Sequence, residues 1–211
     1  MIGIRESDGA WLQLDSKNPF GKKSNGLPCV ESGKEIDLRT LGIDVVFPLL
    51  HGPYGEDGTF QGLCEMMNIP YVGSGVLASA VAMDKSFAKP IFASHGLAVA
   101  PGIVLTQREW STDKSTSLAR TQSLGFPLFV KPARSGSSRG TTKVKTSEQL
   151  SDAIESALVH DPKILIEAAV IGREIECGVL EISGVPHTSV VGEVRVLGNH
   201  EFYDFEAKYL D

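Results

Sequence analysis

The stretch 126–140, FPLFVKPARSGSSRG, concentrates the residue types best suited to polyphosphate chemistry. An apolar run from Phe126 to Val130 ends in Lys131 and Pro132. A loop follows with Ser135, Gly136, Ser137, Ser138 and Gly140, and with Arg134 and Arg139 among them. Glycines let backbone N–H groups approach a ligand, hydroxyls add donors, and a lysine acts as a compact cation. It is not a Walker A loop, because no Gly-Lys-Ser/Thr follows at the required spacing. A polar hairpin joining two strands is the alternative that the stretch alone leaves open. Downstream, the strand ILIE ends at Glu167, and a second acid, Glu174, follows Gly172. Strand-end backbone can read an adenine edge, a carboxylate such as Glu174 can accept from ribose hydroxyls, and lysines can meet phosphates.

Other reactive side chains fall into no known catalytic pattern. Ser137 lies in no Gly-x-Ser-x-Gly elbow and has no His/Asp partner pattern, so it is not read as a nucleophile. His95, His160, His187 and His200 show no metal-ligand spacing. His51 ends an apolar run in HGPYGEDGT and, on the residues alone, reads as a turn histidine. Lys85, on the residues alone, could be an exposed first-turn lysine. Cys29, Cys64 and Cys177 are widely spaced and form no CxxC pair, so neither a disulfide framework nor a zinc site is expected.

These residues need a folded scaffold to position them. At 211 residues and 42% apolar, the chain can bury a core in one large domain or two small ones. A net charge of -6, with Lys and Arg scattered, argues against a nucleic acid or an anionic membrane surface as the main partner. No run approaches the ~20 apolar residues of a membrane span, and the N-terminus lacks a basic then apolar signal. A cytoplasmic location is therefore expected.

Residues 1–43 read as a strand scrap, MIGI, followed by irregular chain. Val45, Val46, Phe47, Leu49 and Leu50 read as a strand buried in a parallel sheet and ending at His51. Phe60, Leu63, Cys64 and Met67 recur at i, i+3, i+4 and i+7, an amphipathic helix that Asn68 and Pro70 end before a short strand at Tyr71 and Val72. Asp84 caps a helix starting at Lys85, in which Pro90 predicts a kink or early stop. Residues 97–105 predict an edge or linking strand. A helix over 146–158 has Thr146 and Gln149 as a capping box and an apolar face of Leu150, Ile154, Ala157 and Leu158. The runs 164–170, 173–182 and 185–196 read as strands, the last two turning at Ser183-Gly184. The final HEFYDFEAKYLD has no period and reads as a loop.

Five strings, HGPYGEDGT (51–59), YVGSGVLASAVAMDK (71–85), FVKPARSGSS (129–138), ILIEAAVIGREIECGV (164–179) and FYDFEAKYLD (202–211), together resemble the D-alanine–D-alanine ligases of the ATP-grasp superfamily. The resemblance implies an α/β and α+β chain with three parts. These are a partial N-terminal Rossmann-like domain at 1–72, a central ATP-grasp domain at 73–168, and the start of a truncated C-terminal domain at 169–211. It implies that Lys85 and Lys131 contact ATP phosphates, with Ser137 and Ser138 in the loop closing over them. Glu167, Ala168 and Val170 would belong to a hinge strand facing adenine, Glu174 would hold the ribose, and Phe202 would lie against the purine. His51 would sit near the first D-alanine, and Ser137 with Tyr209 would clamp the substrates, Lys208 beside them. Tyr209 resembles the dipeptide-forming branch rather than the D-alanyl-D-lactate one.

The implied activity joins two D-alanines through an acyl phosphate for peptidoglycan precursors, with ATP and Mg²⁺ as cofactors and a homodimer as the assembly. Metal ligands and a phosphoryl-directed arginine are expected beyond Asp211, and a glycine-rich strand-loop with a substrate glutamate before Met1, so the sequence reads as part of a longer ligase. The alternatives are a non-catalytic nucleotide-binding module and a ligase for another acid or amine, such as D-lactate. Arg139 stands where the family usually has Val or Ile.

Overall fold

A computed structural model describes residues 1–5, 7–15, 17, 19–22, 28–196 and 201–209. They divide into two compact units, Met1–Ala88 and Lys89–Lys208, with Tyr209 grouped with the first.

In the first unit the early chain is more ordered than its sequence suggests. Strands β1 (Ile2–Ile4), β2 (Trp11–Gln13) and β5 (Lys34–Glu35) form an antiparallel sheet in the order β1-β2-β5, and β3 (Gly21–Lys22) pairs with β4 (Pro28–Cys29). β1 is the strand read at MIGI; the other strands, of two or three residues, are too short to display a period of two, and the sequence reads them as irregular chain. The opposite correction applies to 45–50. No buried strand forms; one parallel bridge, Val46 to Tyr71, is the pairing found there, and Val45, Phe47 and Leu49 are 54%, 67% and 70% exposed. An apolar run becomes a buried strand only when neighbours cover both faces.

Helix α1 (Thr59–Met66) buries Phe60 and Cys64, and the chain leaves it through Met67 and the left-handed Asn68. Residues 73–83 contain α2 (Val76–Met83), and α3 (Lys85–Ser94) follows at once. Asp84 caps α3 as expected, its Oδ1 accepting from the Ser86 N–H at 3.0 Å and the Ser86 hydroxyl at 2.6 Å. Pro90 does not stop α3, which runs on to Ser94. Its ring removes one i to i−4 hydrogen bond, and the remaining bonds carry the helix through.

The second unit is organised by a four-stranded antiparallel sheet. Along the chain come β6 (Gly102–Thr106), α4 (Gln107–Thr112), α5 (Lys114–Ala119), β7 (Leu128–Pro132), β8 (Thr142–Val144), α6 (Leu150–Leu158) and β9 (Lys163–Ala168), with sheet order β6-β9-β7-β8. β6 is an edge strand, as Pro101 and Gly102 predict. Thr106 and Glu109 make a capping box for α4. The expected Thr146/Gln149 box is absent: Gln149 Oε1 accepts from the Lys145 N–H at 2.9 Å, and residues 147–149 form a 3₁₀ turn before α6 begins. Leu150, Ile154 and Ala157 of α6 nevertheless face inward, packing with Leu105, Leu128, Val130, Val144, Ile164 and Ile166 into the core.

The pleat sends alternate residues of this sheet to opposite faces. Leu128, Val130 and Pro132 of β7 are buried, whereas Phe129 and Lys131 are half-buried. Phe129 pairs with Glu167 of β9 and Lys143 of β8, and Glu167 pairs onward with Gly102 of β6. One face therefore carries the apolar core and the other carries Lys131, Glu167, Phe129 and Lys143.

Beyond β9, β10 (Glu174–Glu176) pairs with β13 (Gly192–Val194), and β11 (Val179–Ile182) with β12 (Val185–Thr188). The predicted Ser183-Gly184 hairpin forms, with φ of 53° and 79° at its two central residues. The closing segment, expected as loop, contains a short helix, α7 (Phe205–Tyr209). No helix among the described residues is long and apolar enough to cross a membrane.

Candidate nucleotide site

Lys131 lies inside β7 rather than after it, opposite Leu165 of β9. Two residues along β9, on the same face, Glu167 is 8% exposed and its carboxylate is paired with two lysines: Lys131 through Oε1, and Lys89 of α3 through Oε2 at 2.6 Å. Burial pushes the Glu167 carboxyl up, but hydrogen bonds from Lys131 and Lys89 outweigh it and hold the group below its ordinary value. Two cations on one buried anion leave a net positive spot on the sheet's open face, the polarity a polyphosphate requires.

Gly102 sits across from this carboxylate. A Cβ there would meet Glu167 Cβ and the Ile166 carbonyl oxygen, each at 2.9 Å, so only glycine lets the edge strand lie this close. β9 ends at Ala168, whose N–H donates to Pro101 O at 2.9 Å, and the Ala169 N–H donates to Pro127 O at 3.0 Å. Those two donors of the hinge strand are thus already engaged.

The Ser/Gly loop after β7 is held at both ends. At its start Asp161, 4% exposed, accepts from the Arg134 backbone N–H at 2.8 Å and from its guanidinium at 2.7 and 3.1 Å, and also from the Lys163 N–H at 3.0 Å. Burial raises the Asp161 carboxyl, but the Arg134 and backbone hydrogen bonds more than offset it and keep the group below the usual carboxylate range. Ser137 and Ser138 adopt left-handed φ of 53° and 57°. The Ser138 hydroxyl donates to Tyr203 O at 2.9 Å and accepts from Lys208 Nζ at 2.9 Å, and that ammonium lies 4.7 Å from the centroid of the Tyr203 ring.

The loop closes at Gly140, φ 71°, where a Cβ would stand 2.4 Å from His160 Cδ2 and 3.0 Å from Pro132 Cγ. Gly140→Ala is expected to lower stability by about 2 kcal/mol or more, combining the left-handed penalty with displacement of His160. Urea unfolding checks this, and an unchanged midpoint would mean that the loop relaxes freely.

Phe202 packs edge-to-face on Phe129, centroids 5.2 Å apart and planes at 81°, on the same open face as Lys131 and Glu167. Nearby, a recess of about 650 Å³ is lined by Ser138, Lys143, Lys145, Glu201, Phe202 and Phe205 among others. Glu201 pairs with Lys145 at 2.5 Å and Lys143 at 3.4 Å.

Of the expected site residues, the second unit thus gathers Lys131 with Glu167, and Ser138 with Lys208. Ser137 stands beside Ser138, Ala168 beside Glu167, and Phe202 on Phe129. It does not draw in Val170, 73% exposed, or Glu174, exposed on the separate β10–β13 pair.

In the first unit, His51 is exposed on a recess of about 510 Å³ that Glu56, Gln61, Ser74 and Met83 also line. Gly52 N–H donates to Glu56 Oε2 at 2.5 Å. Lys85 opens α3, half-buried, and Tyr209, 47% exposed, ends α7. Among the described residues no group of three or more His, Cys, Asp or Glu side chains stands where it could hold a metal ion.

Sequence reasoning missed Lys89, Asp161 and Phe129. Lys89 lies one helical turn beyond Lys85, a spacing that could have flagged it.

Comparison with known proteins places this geometry in context. A family profile described as D-ala D-ala ligase C-terminus matches residues 91–211, and one described as D-ala D-ala ligase N-terminus matches residues 5–74. The D-alanine--D-alanine ligases of Kineococcus radiotolerans and Paenarthrobacter aurescens are 57% and 58% identical over 235 and 234 aligned residues. Each alignment covers 100% of this chain and 62% of the relative, so the chain spans about three-fifths of their length. The crystal structure of VanG D-Ala:D-Ser ligase from Enterococcus faecalis is similar at a TM-score of 0.73 and 32% identity, covering 96% of this chain and 61% of that one.

Proposed function

The chain belongs to the D-alanine–D-alanine ligase family, with its ATP-grasp fold, and on that premise we propose that it contributes to ATP-dependent ligation of two D-alanines for peptidoglycan precursors. The observation that carries the reading is the pair of lysines on a buried carboxylate on the sheet face away from the core, with the Ser/Gly loop following the strand that bears Lys131.

In this reading a D-alanine carboxylate oxygen attacks the γ-phosphorus of ATP and the bond to ADP breaks, giving an acyl phosphate. The amine of a second D-alanine then attacks the acyl carbon, phosphate leaves, and the amine loses a proton. Activation is needed because a carboxylate is a poor electrophile. Lys131 and Lys85 neutralise phosphate oxygens. Ser137 and Ser138 belong to the loop over the phosphates, and its left-handed turns are already set, so little ordering remains to be done on binding. Glu167 and Ala168 belong to the strand assigned to adenine and Phe202 offers a ring to the purine; Val170 and Glu174, assigned to adenine and the ribose, lie exposed and outside this cluster. His51 lies by the first D-alanine, and Ser137, Tyr209 and Lys208 belong to the substrate clamp.

Mg²⁺ accompanies ATP in this reading. The domain division at 72/73 and 168/169, a homodimer and a cytoplasmic location belong to the same proposal.

Lys131→Ala in the full-length protein is expected to weaken ATP binding at least 10-fold, as loss of a charge-assisted contact predicts. Calorimetry with a non-hydrolysable analogue checks it, and unchanged affinity would remove Lys131 from the site. Product analysis with D-alanine alone, with D-serine and with D-lactate decides the second substrate. The D-Ala:D-Ser specificity named for VanG makes the serine arm necessary. Nucleotide binding without any turnover would favour a non-catalytic module.

A further inference from the structure

We propose that Lys89 is a positioning residue that frees Lys131 for the nucleotide by holding Glu167 in its place. The inference rests on the nucleotide-site reading above and concerns a residue with no assigned role.

Glu167 is buried on the open face of the sheet, and its two oxygens are divided between two cations: Oε1 to Lys131 and Oε2 to Lys89 at 2.6 Å. Both lysine side chains retain some access to solvent, 23% for Lys131 and 21% for Lys89, against 10% for the Glu167 side chain. The carboxylate is therefore the fixed member and the ammonium groups are the movable ones.

A phosphate oxygen that recruits Lys131 must draw it from Glu167. If Lys131 were the sole cation, its departure would leave a buried carboxylate unpaired, and that cost would be subtracted from nucleotide affinity. Lys89 removes the conflict. It approaches from a helix outside the sheet and takes the other oxygen, so Glu167 keeps a partner whichever way Lys131 points. Gly102, opposite Glu167 on the edge strand, carries no side chain to obstruct that approach.

The test uses full-length protein and compares wild type with Lys89→Met, Lys89→Arg, Glu167→Gln and the Lys89→Met/Glu167→Gln pair, reading KM for ATP, kcat and Tm. Lys89→Met is expected to raise KM for ATP about 10-fold, because Lys131 is then retained by Glu167. Lys89→Arg should restore most of the affinity, since a guanidinium can take the same oxygen. In the Glu167→Gln background the Lys89→Met change should have little further effect, as no buried charge remains to be compensated.

Equal losses in both backgrounds would overturn the proposal, by showing that Lys89 meets the nucleotide directly. A fall in Tm with KM unchanged well below the transition would overturn it as well, leaving Lys89 purely structural. Failure of the underlying reading looks different: wild type itself would bind no ATP.

Discussion

Replacing Asp161 by alanine is expected to be among the most damaging single changes in the second unit. Its carboxylate is the common acceptor for the first residue of the Ser/Gly loop and for the start of β9, through the Arg134 and Lys163 N–H groups, and it also holds the Arg134 guanidinium. Removal orphans two backbone donors and an arginine together. Breaking a fully buried pair costs roughly 3–5 kcal/mol, and because Arg134 is half exposed the loss here should be about 2–4 kcal/mol. Urea unfolding of Asp161→Ala measures it. Asp161→Asn, which keeps one acceptor, should recover part of the loss; if alanine and asparagine both matched wild type, Asp161 would not be anchoring the loop.

The same residue sets a pH dependence. Its folded carboxyl titrates below its ordinary value, so the folded state binds that proton less readily than the unfolded state. The contribution is complete above the unfolded value, about pH 4, and is lost as pH falls through the lower folded value. Glu167 has the same sign, held low by its two lysines. Stability should therefore fall on acidification below about pH 4, and less so in Asp161→Asn. A wild-type curve flat in that window would contradict both assignments.

The second large effect is in the core directly behind the site. Ile166 is fully buried, pairs with Val130 and Ile103, and belongs to the cluster packed under α6. Ile166→Ala should cost roughly 2–5 kcal/mol, lost transfer energy plus the cavity left behind, whereas Ile166→Val should cost about 0.5–1.5 kcal/mol. Since Glu167 is the next residue and points to the other face, the alanine variant tests whether the charged face depends on the packing beneath it. Denaturant unfolding of both variants gives the pair of values. Equal losses would mean that the site collapses around either side chain.

How much of this was legible depended on how local each signal was. The apolar run ending at Lys131, the α6 face of Leu150, Ile154 and Ala157, the Asp84 cap and the Ser183-Gly184 turn were all readable, because each depends on neighbours a few residues away. The family was readable from five strings for a related reason, since loop chemistry is written in contiguous residues. By contrast, Val45 to Leu50 had the right composition for a buried strand and yet found one bridge, because burial needs partners that composition cannot supply.

The sequence by itself determined the family, through a lysine, a Ser/Gly loop and two acids within strings in recognisable order. The tertiary structure alone decided that Lys89 reaches across 78 positions to Glu167, that Asp161 ties the loop to β9 across 27, and that Lys208 meets Ser138 across 70. The physical reason is that hydrogen bonds and ion pairs act over about 3 Å in space, and no periodicity along a chain records which distant residues folding will bring within that reach.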